Sequence, residues 1–188
     1  DVLVPRPETE TLVDAILNEN LQGKTLLELG TGSGAISISI SQENKDCFIF
    51  ATDISIKSIL VAKQNAAKFF CENIIFLNHD WNNEWLFPQV DYLISNPPYV
   101  DKEATSGKEE GIWHEPEIAL FSKDKGLSDL KLILSKGKKF LNESGKVYLE
   151  HAPDQYEELN KFAMENGYLN FSNLNDLNGD KRVSIYQC

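Results

Sequence analysis

A glycine-rich loop and a later aspartate carry the first chemical signal in this chain. The loop, Gly30-Thr31-Gly32-Ser33-Gly34, follows a short apolar run and precedes a segment with helical character. Glycine allows positive φ angles and lets a ligand approach the backbone closely. Asp53 ends the next predicted strand, about 20 residues further on, where a carboxylate can accept hydrogen bonds from both hydroxyls of a ribose. Together, the loop and the aspartate predict a ligand that contains a ribose.

Two ribose-containing cofactors fit this pattern. Gly30, Gly32 and Ala35 satisfy the dinucleotide spacing GxGxxG/A, so an NAD-like ligand remains open. Glycines packed this closely favour the compact, cationic methionine end of S-adenosylmethionine, and Glu28 would add negative potential near it. Asp80-Trp81 follows the third predicted strand, where the indole could cover an adenine ring. A tryptophan in the hydrophobic core is an equally good interpretation of Trp81.

The most specific motif is Ser95-Asn96-Pro97-Pro98-Tyr99, which follows the fourth predicted strand. Two consecutive prolines cannot donate backbone hydrogen bonds, and they stiffen the chain. A planar amide or amine presents two N–H donors, which the Asn96 side-chain oxygen and the Pro97 carbonyl can accept. Tyr99 can pack against the planar group and favour a cationic methyl donor. We therefore predict N-methylation by positioning, with Asn96, Pro97 and Tyr99 as catalytic residues, rather than a proline-rich exit turn.

Short strands alternate with helices along the chain. Strands are predicted at 25–29, 48–52, 74–77, 92–95 and 147–150, with helices after Pro7 and at 55–70, 127–141 and 155–165. The tail, 171–177 and 183–186, has the pattern of a hairpin. This order predicts an α/β fold of the Rossmann-like type, a mostly parallel seven-stranded sheet with a carboxy-terminal antiparallel hairpin. We expect a single domain, with an amino-terminal helical segment over 1–23 and a core over 24–188.

One segment has a pattern that by itself predicts a strand. Ile36-Ser37-Ile38-Ser39-Ile40 alternates with a period of two. The preceding glycine turn requires the amino terminus of a helix behind it, so we predict a helix instead. A helix buried between a sheet and its neighbours can carry apolar residues on several sides.

The patterns also predict which side chains are buried. The helix over 55–70 should place Ile59, Ala62, Ala66 and Phe70 along one apolar side, and the strands at 74–77 and 92–95 should be buried. Lys136-Gly137-Lys138-Lys139 is predicted to form the solvated face of a helix.

Composition limits the class of protein. The chain has 188 residues, 41% hydrophobic content and a formal net charge of −11, which favours a protein or small-molecule substrate over a phosphate-rich nucleic acid. No apolar run approaches the ~20 residues of a membrane span. Cys47, Cys71 and Cys188 have no CxxC spacing, so we expect no disulfide framework, no metal site and a cytoplasmic location.

Motifs along almost the whole chain resemble the PrmC/HemK family of protein-(glutamine-N5) methyltransferases, which modify peptide chain release factors. Val4-Pro5-Arg6-Pro7-Glu8-Thr9-Glu10 is similar to the family's amino-terminal motif, and the segment over 28–35 resembles its cofactor loop. The segments over 51–55 and 95–100 follow in the family's order. Glu115-Pro116 with Ala119-Leu120, then Gly126-Leu127, and finally 176–177 with 182–183 also fit. The Asn-Pro-Pro-Tyr motif alone is shared with adenine and guanine N-methyltransferases.

The resemblance implies a class I methyltransferase that uses S-adenosylmethionine to methylate the glutamine of a release factor's Gly-Gly-Gln loop. It implies that Gly30, Thr31, Gly32, Ser33, Gly34, Asp53, Trp81 and Asn96 hold the cofactor, and that Asn96, Pro97, Pro98 and Tyr99 hold the substrate glutamine. The family usually carries a helical amino-terminal domain to which nothing here corresponds. We therefore expect normal cofactor binding with less efficient methylation than a longer chain would achieve. Glu150-His151-Ala152-Pro153 replaces a stretch where the family has a glycine, and no histidine matches a catalytic motif.

Two alternatives remain open from the sequence. The first is an N-methyltransferase acting on adenine or guanine in DNA or rRNA, which would need a basic recognition region. The second is a nicotinamide-dependent oxidoreductase, or an inactive nucleotide-binding module, on the same kind of sheet. That second alternative leaves the Asn96-Pro97-Pro98-Tyr99 motif without a role.

Overall fold

The computed structural model describes residues 2, 4–101 and 117–188, which form a sheet with helices on both faces. The helices are α1 Glu10–Leu17, α2 Ala35–Glu43, α3 Ile56–Lys68, α4 Ser128–Gly137 and α5 Tyr156–Glu165. The strands are β1 Thr25–Leu29, β2 Phe48–Asp53, β3 Ile74–Asn78, β4 Val90–Ser95, β5 Leu141–Glu150, β6 Asn170–Asn175 and β7 Lys181–Gln187. Short 3-10 turns cover Pro7–Thr9, Glu117–Ala119 and Lys138–Phe140.

The strand order confirms the predicted topology. The seven strands lie in the order β3-β2-β1-β4-β5-β7-β6. Strands β1 to β5 pair in parallel, whereas β7 is antiparallel to both β5 and β6. The chain moves outward in one direction from β1 to β3 and in the other from β4, so the order reverses between β1 and β4. Ligands of open parallel sheets bind in the crevice beyond the carboxyl ends of the strands at such a switch point.

Alternate residues of the central strands pack against helices on opposite faces. Leu27 and Leu93 lie in one apolar cluster with α4 and α5, whereas Leu26 and Ile94 lie in a second cluster with α1 and α2. Successive side chains of a strand point to opposite faces, so both faces of these strands are apolar, as expected of a covered parallel sheet.

The alternating segment is helical, as predicted. It forms most of α2, in which Ile36, Ile38 and Ile40 are all buried. Ile36 and Ile40 pack in the cluster that contains α1, and Ile38 packs in a third cluster with α3. A helix with apolar neighbours on two sides does not need the single apolar stripe of a surface helix, so period-two alternation is tolerated here.

Three of the burial predictions were wrong. Strand β3 is the edge of the sheet, and only Phe76 among its residues is buried. Phe70 is 83% exposed because α3 ends at Lys68 and Phe70 then takes a positive φ of 54°. Lys136 and Lys138 are half-buried and do not form a solvated face, since their ammonium groups donate to backbone carbonyls of turns 28 to 55 residues away in sequence. Within the described part of the chain, no helix is long and apolar enough to cross a membrane.

Candidate active site

The glycine loop is held at the carboxyl ends of β1 and β2 by backbone hydrogen bonds. The N–H groups of Gly30 and Thr31 both donate to the carbonyl of Thr52, each at 2.8 Å. Gly32 has a φ of +55°, and a Cβ there would meet no atom within 4 Å. Because Gly32 also lines the cavity beside the loop, its bare backbone faces space that a ligand can fill.

Asp53 connects the end of β2 to this loop. Its Oδ2 accepts a hydrogen bond from the Gly32 N–H at 2.9 Å, and its Oδ1 accepts one from the Ser55 N–H at 2.8 Å. Burial raises the pKa of the Asp53 carboxyl above its ordinary value, although these two hydrogen bonds oppose the shift. The carboxylate is thus oriented by backbone donors and still lines the cavity, where it can accept hydroxyl hydrogens.

One cavity brings together the two groups of residues that the sequence indicates. Most of the predicted residues line it, namely Gly30, Thr31, Gly32, Ser33, Asp53, Trp81, Asn96 and Pro98. Gly34, Pro97 and Tyr99 are not among its lining residues. Gly34 instead begins α2 with a φ of +84°, and a Cβ there would lie 3.1 Å from the Cβ of Ala62. Gly34 therefore allows α2 and α3 to approach each other.

Glu28 does not line the cavity, although the sequence placed its charge there. Its side chain is buried and accepts hydrogen bonds from the hydroxyls of Thr31 and Ser37. Burial raises the pKa of the Glu28 carboxyl. The side chain thus ties the glycine loop to the first turn of α2 from beneath.

Trp81 lies between the core and the cavity. Its ring packs against the core cluster of α4 and α5, and it also lines the cavity. A Cβ on Gly30 would lie 3.1 Å from the Trp81 Cζ3 atom. The indole N–H donates to the Asp129 carboxylate at 3.1 Å, and the Trp81 carbonyl accepts from Lys136 at 2.9 Å. These contacts fix the ring as a flat wall beside the glycine loop.

The Asn96-Pro97-Pro98-Tyr99 segment leaves β4 next to the end of β1. Leu29 pairs with Ser95, and the Ser95 hydroxyl donates to the Leu29 carbonyl at 2.7 Å. The Asn96 side-chain amide donates from Nδ2 to the Thr9 hydroxyl at 3.2 Å. With Nδ2 directed to Thr9, Oδ1 is the amide atom that can accept a hydrogen bond from a ligand.

Tyr99 fastens the end of this segment to β5 and to the turn before α5. Its hydroxyl donates to Glu150 Oε1 at 3.1 Å, and its carbonyl accepts from Gln155 Nε2 at 2.9 Å. Burial, with the nearby charge of Glu150, raises the pKa of the Tyr99 phenol well above its usual value. Gly126, with a φ of +84°, lies so close that a Cβ on it would be 2.0 Å from the Tyr99 carbonyl oxygen. Only glycine fits at this position without moving the segment.

The loop after β5, which the sequence left unexplained, is ordered by buried polar contacts. His151 is fully buried, and its Nε2 lies 2.7 Å from the Ser184 hydroxyl. Burial lowers the pKa of the imidazole. The Gln155 side-chain oxygen accepts a hydrogen bond from the Ala152 N–H at 2.9 Å. This contact orients the Gln155 amide, whose Nε2 donates to the Tyr99 carbonyl. His151 is thus a buried structural side chain and not a cavity residue.

Sequence reasoning from spacing missed Thr9, Glu150, Gln155 and Gly126. Thr9 and Gly126 stood in segments quoted for the family resemblance, but no local pattern indicated what they contact. Val100 also pairs with the Ala119-Leu120 segment, since its N–H donates to the Leu120 carbonyl at 3.0 Å. Glu115-Pro116, and His114 before it, lie outside the described residues.

Comparison with known proteins decides the family. Residues 7–115 match the methyltransferase small domain family. The chain is 35% identical to the release factor glutamine methyltransferase of Francisella tularensis subsp. tularensis, covering 100% of this chain and 67% of the relative. It is 34% identical to the enzyme of the same name from Aliivibrio fischeri, covering 98% of this chain and 66% of that protein.

The chain belongs to the release factor glutamine methyltransferase family. It spans about two thirds of the length of these relatives, and less than half of the bifunctional methyltransferases that also match. The fold agrees, since a methyltransferase from Pyrococcus furiosus superposes with a TM-score of 0.72 at 19% identity, covering 100% of this chain and 85% of that one. The architecture is that of class I methyltransferases, as predicted.

Proposed function

We propose that this chain transfers a methyl group from S-adenosylmethionine to the side-chain amide nitrogen (N5) of a glutamine in a peptide chain release factor. The observation that supports the proposal is one cavity lined both by the ribose-binding candidates and by Asn96 and Pro98 of the segment after β4. A methyl donor and a planar nitrogen must meet for this reaction, and the switch point between β1 and β4 brings their candidate sites to one place.

The residues around the glycine loop suit the nucleoside part of the cofactor. Asp53 lines the cavity with a carboxylate that backbone N–H groups orient, as ribose hydroxyls require. Trp81 offers a flat face for adenine, and Gly32 leaves open space where a side chain would intrude. S-adenosylmethionine, when bound, supplies an electrophilic methyl group on a sulfonium.

The segment after β4 suits a planar amide. Asn96 directs Nδ2 to Thr9, so its Oδ1 can accept one substrate N–H, and the Pro97 carbonyl can accept the other. Holding both N–H groups orients the nitrogen toward the methyl group, and this positioning is the main catalytic contribution we assign to the protein. Tyr99 is fixed at both its hydroxyl and its carbonyl, so it stiffens the segment that carries these acceptors.

The charge of the chain favours a protein substrate. A net charge of −11 repels phosphate-rich nucleic acids, whose nonspecific binding depends on Lys and Arg contacts. A glutamine flanked by glycines, as the family resemblance implies, can extend into a narrow crevice at the edge of the sheet. We therefore expect no direct nucleic-acid binding and a soluble partner, the release factor.

The test is incubation of the purified chain with methyl-labelled S-adenosylmethionine and competing substrates. The substrates are a release factor, the same factor with its loop glutamine replaced by alanine, and DNA and rRNA oligonucleotides. We expect label on the intact factor alone, located on the glutamine by mass spectrometry. Label on an oligonucleotide, with none on the glutamine, would instead support the adenine or guanine N-methyltransferase.

A further inference from the structure

A buried glutamine amide just before α5 joins three separate stretches of backbone. Gln155 is only 6% exposed. Its Nε2 donates to the Tyr99 carbonyl at 2.9 Å and to the Lys125 carbonyl at 3.0 Å. Its Oε1 accepts from the Ala152 N–H at 2.9 Å. An amide NH2 group has two hydrogens and both are used here, so the side chain cannot turn away from one partner without breaking its bonds to the others.

The two carbonyls belong to segments that carry different parts of the candidate site. The first ends Asn96-Pro97-Pro98-Tyr99, which we call the substrate segment. The second, that of Lys125, lies in the turn before α4. Asp129, in the first turn of α4, lines the cavity and accepts the Trp81 indole N–H at 3.1 Å. Gln155 therefore links the substrate segment to the helix that holds the proposed wall for adenine.

The turn before α4 has a backbone conformation that its surroundings must hold. Asp124 and Lys125 both have a φ of 54°, and Gly126 follows with a φ of 84°. Residues other than glycine adopt such angles at a cost, so the conformation persists only where contacts impose it. A Cβ on Gly126 would lie 2.0 Å from the Tyr99 carbonyl oxygen and 2.6 Å from Gln155 Nε2. The turn thus packs directly against the end of the substrate segment and the amide that joins them.

We propose that Gln155 is a positioning residue, which sets the place of the substrate segment relative to the Trp81 wall. The reaction that it serves rests on the proposed function, whereas its hydrogen bonds are a property of the chain. Gln155 is not among the lining residues of the cavity, so it acts through the Tyr99 carbonyl and not by contact with a substrate. A displacement of about 1 Å in a positioned group can cost roughly a hundredfold in rate, so an amide outside the cavity can matter for kcat.

The first kinetic test removes the amide. Gln155→Met loses all three hydrogen bonds and keeps an unbranched side chain of similar length. The Trp81 indole keeps its bond to Asp129, and Lys131 still pairs with the Asp124 carboxylate at 2.7 Å. We therefore expect kcat to fall about 10- to 100-fold, with a Kd for S-adenosylmethionine within about twofold of the wild-type value. An unchanged kcat would overturn the proposal.

Asn73 provides a matched control for loss of a buried amide. Its Nδ2 also donates to two backbone carbonyls, those of Cys47 at 2.8 Å and Asn44 at 3.3 Å, but it lies just before β3, at the amino end of that strand. Asn73→Leu should lower the stability of the chain and leave kcat unchanged at temperatures where the variant is folded. An equal fall of kcat in Asn73→Leu and Gln155→Met would show a general structural effect and overturn the proposal.

A second variant tests the donors alone. In Gln155→Glu the new carboxyl, when ionised, can only accept, so it repels both carbonyls. When protonated, it can accept from Ala152 and donate to one of the two carbonyls, and burial favours this form. The ratio of its kcat to the wild-type kcat should be below one and should rise as the pH is lowered. A ratio of one at every pH, or one that falls in acid, would contradict the proposal. This variant decides the question if Gln155→Met does not fold.

Combination with Asn96→Ala tests whether Gln155 acts through the substrate segment. If it does, Gln155→Met should lower kcat less in an Asn96→Ala background than in the wild type, because the acceptor that it positions is already absent. Losses that multiply in full would overturn the proposal.

A further readout does not depend on activity. Both side-chain NH2 hydrogens of Gln155, assigned in a ¹⁵N–¹H spectrum by their loss in Gln155→Met, should exchange slowly with solvent. The side chain of Gln64, which is exposed on α3, should exchange rapidly. Rapid exchange at Gln155 would reject its role as a junction even in an active enzyme. A wild-type chain that puts no label on the release factor would reject the proposed function, while the exchange rates would still test Gln155.

Discussion

Carboxylates have different surroundings at the two ends of the parallel strands. We call the side of the sheet where these strands begin the amino edge, and the side where they end the carboxyl edge. Toward the amino ends of β1 and β4, Glu19 accepts hydrogen bonds from Lys146 and Tyr148 at 2.6 Å, and Asp91 pairs with Lys24 at 3.1 Å. Burial would raise their pKa values, but these partners outweigh it, so both carboxyls have pKa values below the ordinary range.

At the carboxyl ends of the strands the balance is reversed. Glu28, Asp53 and Glu150 are held mainly by hydroxyls and backbone N–H groups, and burial raises the pKa of all three. One edge therefore uses its charges for stability, whereas the other keeps buried acceptors at a cost in stability. Local departures of this kind are typical of functional sites. The edge that costs stability is the one that carries the candidate active site.

The largest expected effect is on catalysis and comes from the carboxyl edge. Asn96→Ala should fold normally and lose at least about a hundredfold in kcat, because it removes a positioned polar contact from the proposed transition state. Initial rates with labelled cofactor and thermal unfolding would measure both quantities. Asn160→Ala, which removes an amide paired with Asn173 at 3.0 Å, is the control outside the site. A kcat of Asn96→Ala close to that of the wild type would contradict the proposed positioning mechanism.

The next effect is on cofactor binding. Asp53→Ala should weaken the binding of S-adenosylmethionine by about 1.5–3 kcal/mol, roughly a ten- to hundredfold rise in Kd, because hydrogen bonds to a charged acceptor are lost. Loss of the Gly32 contact adds to this effect. Isothermal titration gives the affinity directly. Asp91→Ala removes a carboxylate from the opposite edge and should bind the cofactor normally. Equal affinities for wild type and Asp53→Ala would remove Asp53 from the site.

A smaller effect, on stability, should come from the amino edge. Glu19→Gln should destabilise the chain by about 1.5–3 kcal/mol at pH 7, because it breaks hydrogen bonds between charged partners. A lowered folded-state pKa means that the carboxylate stabilises the protein fully above its unfolded pKa, about 4.3, and loses this contribution as pH falls through the folded pKa. Urea unfolding at several pH values should show the gap between variant and wild type closing in acid. A gap independent of pH would contradict the pairing.

The smallest effect should have the opposite sign. The pKa of Glu28 is raised, so its contribution to stability is fully present below the unfolded pKa and is lost as pH rises through the folded pKa. Glu28→Gln imitates the protonated group, and we expect it to match wild type in acid and to be about 1 kcal/mol more stable at pH 8. The same urea series measures this. A Glu28→Gln variant less stable than the wild type at high pH would contradict the inference that the buried Glu28 carboxylate costs stability.

The sequence alone predicted the parts of the site that depend on local order. A glycine turn after a strand, an acidic residue at the end of the next strand and Asn96-Pro97-Pro98-Tyr99 after the fourth each have a meaning set by their neighbours in the chain. The same local logic identified α2 as a helix in spite of its alternating pattern, because the glycine turn before it requires one. Parallel pairing then brings the carboxyl ends of these strands together, so the approximate site followed from the topology.

Tertiary structure alone decided which side chains support that site. Thr9, Glu150 and Gln155 contact the segment after β4 from 51 to 87 residues away, and no spacing along the chain can indicate such partners. Lys136 was assigned to solvent by composition, yet it binds carbonyls of the turn that carries Trp81. The order of residues determines which side chains follow each strand. The partners of each buried hydrogen bond come from distant parts of the chain, which only folding brings within reach.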